Sequence, residues 1–108
     1  MRRRLRKLHS AHTERLYRHP PHEVLRAAEK AVRELPRWSL QVSGAGGIRA
    51  TRRTRVFRFV DEVRIRVEEH PAGSYLTAGS ESRVGFWDLG QNRRNLRELL
   101  RRLDRELP

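Results

Sequence analysis

The 108-residue chain contains no cysteine. Disulfides, thiolate metal sites and cysteine nucleophiles are therefore excluded. Lysine is almost missing as well: Lys7 and Lys30 stand alone, and the rest of the 25 basic residues are arginine. Aromatic residues make up only 6% of the chain. No run approaches the roughly 18 consecutive apolar residues of a membrane-spanning helix. The opening MRRRLRKLHS has the charge of a signal peptide, but no apolar run of about 7–15 residues follows it. Secretion by that route is not expected, and a cytoplasmic location is. Leu5 and Leu8 among these arginines offer at most a weak interfacial contact. A frayed, solvated terminus is the expectation.

A chain of this length reads as one domain with a single core. Its net charge is +12, and half of that excess lies in residues 1–18, which carry seven basic groups against Glu14. Residues 1–13 are therefore read as a basic, mobile segment and 14–108 as one folded domain. Two readings of the charge compete. It attracts nucleic acid or anionic lipid through counterion release, or arginine is simply the favoured surface residue, as in ion-pair networks at high temperature.

Periodicity gives the elements. ERLYRH (14–19) is strand-like around Leu16 and Tyr17. In HPPHEVLRAAEKAVRELP (19–36), Val24, Leu25, Ala28, Val32 and Leu35 share one helical face. Pro20 and Pro21 suit its entrance, Glu23 suits the positive end of the dipole, and Pro36 stops it. Trp38, Leu40 and Val42 alternate, SGAGG (43–47) reads as a hairpin turn, and Ile48 and Ala50 start a return strand. Val56, Phe57, Phe59 and Val60 break the alternation, so a bulge or loop is expected at 56–60. Val63, Ile65 and Val67 form the next strand, with a turn at 70–73. Leu76, Ala78, Ser80, Ser82 and Val84 face inward on the last one. Leu89, Asn92, Leu96, Leu99, Leu100, Leu103 and Leu107 then line a helix with Asp88 as N-cap and Gln91 completing a capping box. Glu98 with Arg101 and Arg102, and Arg101 with Asp104, are expected to pair within that helix, worth about 0.3 kcal/mol each.

The order is β-α-β-β-β-β-α, an α+β two-layer sandwich with both helices packed on one face of an antiparallel sheet. A helix-grip module has this order, as does each half of the TATA-box-binding-protein fold, and fold alone settles no function.

The segments FVDEVRIRV (59–67), SESRVG (80–85) and DLGQN (88–92) carry a resemblance. The chain resembles the DUF1499 family of domains of unknown function over about Tyr17 to Leu103. That family's pattern runs F-x-D-D-V-x-[VI]-R-V and then R-S-x-S-R-x-G-x-x-D-x-G-x-N. The matching positions are Asp61, Arg66, Ser80, Ser82, Arg83, Gly85, Asp88, Gly90 and Asn92. Glu62 replaces the family's second aspartate, and Gly79 replaces an arginine. Many relatives look secreted, lipid-anchored or plastid-targeted, and no such leader is expected here. The resemblance implies a fold and a set of positions but no reaction.

Read as chemistry, Asp61, Ser80, Ser82, Arg83, Asp88 and Asn92 form a candidate polar cluster. It is either a latch fixing the last helix to the sheet, with Arg83 bridging to Asp61 or Asp88, or a small anion site at the helix start. Arg49, Arg53, Arg55, Arg64 and Arg66 form a candidate basic surface for nucleic acid, aided by the N-terminal segment. Tyr75 is the one aromatic expected outward on a regular strand, a thin stacking platform. Phe86 and Trp87 read as a staple over the helix start or as an exposed apolar patch meeting a partner or lipid.

The pairs His9/His12 and His19/His22 lack the further ligands a metal site needs. Asp61 and Glu62 point to opposite faces of a strand and cannot work as an acid–base dyad. No G-x-S-x-G elbow surrounds either serine, and GAGG (44–47) does not open a helix as a phosphate loop does. The expectation is a non-enzymatic binding domain without cofactor or metal. Its partner is a small polar or anionic ligand or a protein, with nucleic acid as the alternative.

Overall fold

The computed structural model describes residues 10–54, 59–83 and 90–108. Their order is β1 (Ser10–Tyr17), α1 (Pro21–Glu34), β2 (Trp38–Gly44), β3 (Gly47–Arg53), β4 (Val60–His70), β5 (Gly73–Ser82) and α2 (Gln91–Glu106). The strands form one five-stranded sheet, β1-β5-β4-β3-β2, with every neighbouring pair antiparallel. The β-α-β-β-β-β-α order and the two-layer architecture are as the sequence predicts.

Period-two alternation sets the faces. Val63, Ile65 and Val67 of β4 and Leu76 and Ala78 of β5 point inward, where they join Leu96, Leu99, Leu100 and Leu103 of α2 in one core. The apolar stripe of α1 is completed by Ala27 and Ala31, which the sequence reading leaves out. These small side chains let the helix lie close to the sheet. The opposite face of the sheet carries no helix among the described residues.

Three features depart from the sequence reading. β1 begins at Ser10, so residues 10–13 of the supposed tail are paired in the sheet against 78–81. The register of β2 shifts between Leu40 and Val42, which sets Val42 opposite Arg49 and leaves it 49% exposed. A bulge thus lies here, where alternation alone predicts an inward Val42. The bulge or loop expected at 56–60 lies largely outside the described residues; at its edges Thr54 N donates to Phe59 O at 2.7 Å, Phe59 N donates to Thr54 Oγ1 at 2.8 Å, and β4 starts at Val60. Finally, α2 starts at Gln91 with Gly90 in the cap position at φ 79°. Gln91 is the first helical residue rather than the third that a D-x-x-Q capping box needs, and Asp88 itself lies outside the described residues. Glycine suits that left-handed entry.

The turn between β4 and β5 needs glycine for a second reason. Gly73 has φ 136°, and a Cβ there would run into the backbone of Tyr17, Arg18 and His19 at the end of β1.

Candidate functional site

Four residues of the candidate polar cluster, Asp61, Ser80, Ser82 and Asn92, lie together, and they are interior. Asp61 of β4 and Ser80 and Ser82 of β5 share the inward face, because Asp61 pairs with Ser82 and Val63 with Ser80 across the strands. Asn92 enters from the first turn of α2. Ser80 Oγ donates to Asn92 Oδ1 at 2.6 Å, and Asn92 Nδ2 donates to Ser82 Oγ at 2.8 Å. Asn95, one turn further on, donates from Nδ2 to Asp61 Oδ2 at 2.8 Å and to Ser80 Oγ at 3.1 Å. Gln91 Nε2 closes the chain by donating to Asn95 Oδ1 at 2.7 Å. All five residues from Asp61 to Asn95 are buried. Desolvating them costs free energy that only pairing offsets. The network ties α2 to two central strands.

Asn95 was missed by the sequence reading. The signal was available: Asn95 is three residues after Asn92 and four before Leu99, squarely on the buried stripe. Arg83 does not join the cluster. It follows Ser82 on the other side of the pleat, is 54% exposed at the side chain, and approaches Glu62 at 3.8 Å on the open face. Its predicted bridge to Asp61 is thereby overturned. Asp88, Phe86 and Trp87 lie outside the described residues. Asp61 and Glu62 do point to opposite faces.

Of the candidate basic surface, Arg49, Arg53, Arg64 and Arg66 are exposed on the open face, and Arg55 lies outside the described residues. Arg49 and Arg64 are direct cross-strand partners. Like charges placed so are destabilising, and neither makes an ion pair among the described residues. Arg66 instead borders a shallow depression of about 640 Å³ that also holds His12, Arg64, Glu14, Glu62 and Glu81, where charges of both signs alternate.

A second depression, of about 440 Å³, has basic and no acidic side chains in its lining, and only Arg83 of its arginines approaches a carboxylate, that of Glu62 outside it. Arg37, Arg53 and Arg83 line it, with Ser39, Gln41 and Thr51 as polar neighbours. Backbone pairing assembles it. Arg53 N donates to Arg37 O at 2.9 Å, Arg53 pairs with Val60, and Arg83 N donates to Val60 O at 3.1 Å. Arg37 holds φ 69°, the one described non-glycine residue with positive φ, a conformation costly for a side chain of this kind. A smaller adjoining depression of about 140 Å³ brings in Arg49 and Arg64 together with Glu62. Sequence reasoning missed Arg37, which sits in the α1–β2 turn outside every periodic segment.

Among the described residues no three histidine or acidic side chains gather as metal ligands, and no helix is long and apolar enough to cross a membrane. His19 is held above its ordinary pKa by the Pro108 carbonyl and then by Glu23, a contact at the end of the domain remote in sequence from these arginines.

A family model described as a protein of unknown function, DUF1499, matches residues 4–103. No curated protein matches the chain. A protein from Mesorhizobium loti has a similar structure, with TM-score 0.63 at 13% identity, covering 90% of this chain and 95% of that one. A protein from Chromobacterium violaceum gives 0.54 at 13% over 88% and 94%. The AHSA1-like protein from Aeromonas hydrophila gives 0.53 at 13% over 90% of each chain. At that identity the likeness is one of fold, and the fold is helix-grip.

Proposed function

Because the chain belongs to DUF1499, a family of unknown function, we propose from the geometry that it is a non-enzymatic binding domain that takes a small oxyanion-bearing ligand on the open face of its sheet. The observation that carries this reading is the convergence of Arg37, Arg53 and Arg83 on one depression without a carboxylate in its lining. Guanidinium groups suit phosphate and carboxylate oxygens because they donate in a planar fork. The left-handed Arg37 supports the reading further, since strain is retained where a side chain is needed in place. The buried amide–carboxylate network then acts as the latch behind the site. It fixes α2 and β5, and so the strand that Arg83 directly follows.

Titration calorimetry of the full chain with phosphate, pyrophosphate and citrate tests this. Saturable binding is expected for at least one anion, with affinity reduced about tenfold or more when Arg53→Gln and Arg83→Gln are combined. Absence of binding, or binding that the double variant leaves unchanged, would remove the proposal.

A further inference from the structure

The solvent side of α2 carries a second basic surface, built differently from the first. Arg93, Arg94, Arg97, Arg101 and Arg105 are all exposed. Arg97, Arg101 and Arg105 follow one another at i, i+4, and Arg94 precedes them at i−3. Like charges at that spacing weaken a helix. The helix holds three carboxylates that could offset them, and tertiary contacts take each one away. Glu98 accepts from Trp38 Nε1 at 2.6 Å and from Arg52 Nε at 3.4 Å. Asp104 accepts from Arg15 at 2.7 Å and from Tyr17 at 2.8 Å. Glu106 faces Lys30 at 3.2 Å and Arg102 at 3.5 Å. The intrahelical pairs of Glu98 with Arg101 and of Asp104 with Arg101 expected from spacing are therefore not formed. Arg97, Arg101 and Arg105 make no ion pair among the described residues, and Arg94 bonds only to Gln91, at 3.2 Å. These four arginines border a depression of about 380 Å³ with Leu35, Arg102 and Glu98, whose carboxylate is already held by Trp38 and Arg52.

We infer that this ridge docks on the phosphate backbone of a nucleic acid. A small anion needs donors that converge. The ridge instead spreads its charges along a line, and at 1.5 Å of rise per residue Arg94 and Arg105 lie roughly 16 Å apart along the axis. That suits a ligand with regularly spaced phosphates. A lipid surface fits less well. A helix lying in a membrane interface buries an apolar face there, and the apolar face of α2 is already used in the core. The large exposed apolar side chains among the described residues, Leu16 and Val42, both lie on the strands. The solvent side of α2 has no aromatic to stack on a base, so the binding is to backbone and independent of sequence.

Fluorescence anisotropy with the full chain and a mixed-sequence duplex, measured at several salt concentrations, tests the inference. Arg97→Gln with Arg101→Gln is compared with the sheet variant Arg53→Gln with Arg83→Gln. Both replace exposed side chains, and thermal unfolding confirms that each remains folded. The ridge variant is expected to weaken binding about tenfold or more at low salt and to flatten the log–log salt slope by roughly two, while the sheet variant stays within about twofold. Three results would overturn the inference: no salt-dependent binding to duplex, full affinity retained by the ridge variant, or equal losses from both variants. Vesicles containing phosphatidylglycerol form the last arm. Their capture in place of the duplex also overturns it, and it would assign the same arginines to a headgroup surface.

Discussion

The two faces of the sheet spend polar residues in opposite ways. On the helix-covered face Asp61, Ser80, Ser82, Asn92 and Asn95 hydrogen-bond to one another inside the protein. On the open face Arg37, Arg53 and Arg83 converge on one depression, and Arg49 faces Arg64 across the strands with Glu62 in the lining beside them. Burial explains the first arrangement, because an interior polar group must be paired to be tolerated. No requirement of folding explains the second, since adjacent like charges oppose folding. The motif residues that look most like a site are therefore the ones the fold itself needs. The residues without an internal purpose are the better guide to a ligand.

The comparison breaks most directly at Asn95. Asn95→Ala removes donors from Asp61 and Ser80 and the acceptor of Gln91, all at a fully buried position. The expected loss is about 3 kcal/mol, read from the denaturant midpoint. A loss below about 1 kcal/mol would mean that the cluster is not a structural latch.

A neighbouring interior pair sharpens the same point. Arg52 is an inward arginine, 8% exposed, and Glu98 serves both it and Trp38. Glu98→Ala is expected to cost about 2 kcal/mol, less than for a fully buried ion because Glu98 itself is partly solvated. Neutralising Arg53, next in sequence but outward, should change stability by under about 0.5 kcal/mol. Equal effects at the two arginines would erase the distinction between faces.

Much of this was legible beforehand. Alternation fixed β4 and β5 with their inward residues, and the α2 stripe led to Asn92. What escaped reading did so for identifiable reasons. Asparagine is polar, so a reading by apolar stripe passes over Asn95 although its spacing puts it on the buried face. Arg83 was given a partner by charge when its parity on the strand already placed it on the other face. The bulge that turns Val42 outward depends on how β2 pairs with β3, a non-local fact. The conformation of Arg37 depends on the meeting of α1 with β2 and leaves no mark in periodicity.

At the edge of the covered face, Tyr17 offers a pH test. Burial first, and then the hydrogen bond it donates to Asp104, raise its hydroxyl pKa above the ordinary 10.0. A raised folded-state pKa means that the stabilisation is intact below pH 10.0 and is lost as pH climbs beyond it. Tyr17→Phe is expected to cost about 1.5 kcal/mol at neutral pH. It should also flatten the alkaline fall in stability relative to the parent chain. Thermal unfolding of both proteins across the alkaline range reads the difference, and parallel curves would show that the Tyr17–Asp104 bond does not form in solution.

The smallest expected change, and the one that bears most on function, is at Arg37. Its φ of 69° costs an ordinary residue about 1 kcal/mol. Glycine relieves that strain but adds freedom to the unfolded chain, which offsets about half of the gain. Arg37→Gly is therefore expected to stabilise the protein by about 0.5 kcal/mol. Anion binding at the depression it shares with Arg53 and Arg83 should weaken at the same time. The two readouts moving in opposite directions would mark Arg37 as a residue kept for its ligand at the expense of the fold. A stabilised variant that binds anions as well as the parent would place the strain in the α1–β2 connection alone, and the open face would then rest on Arg53 and Arg83 without it.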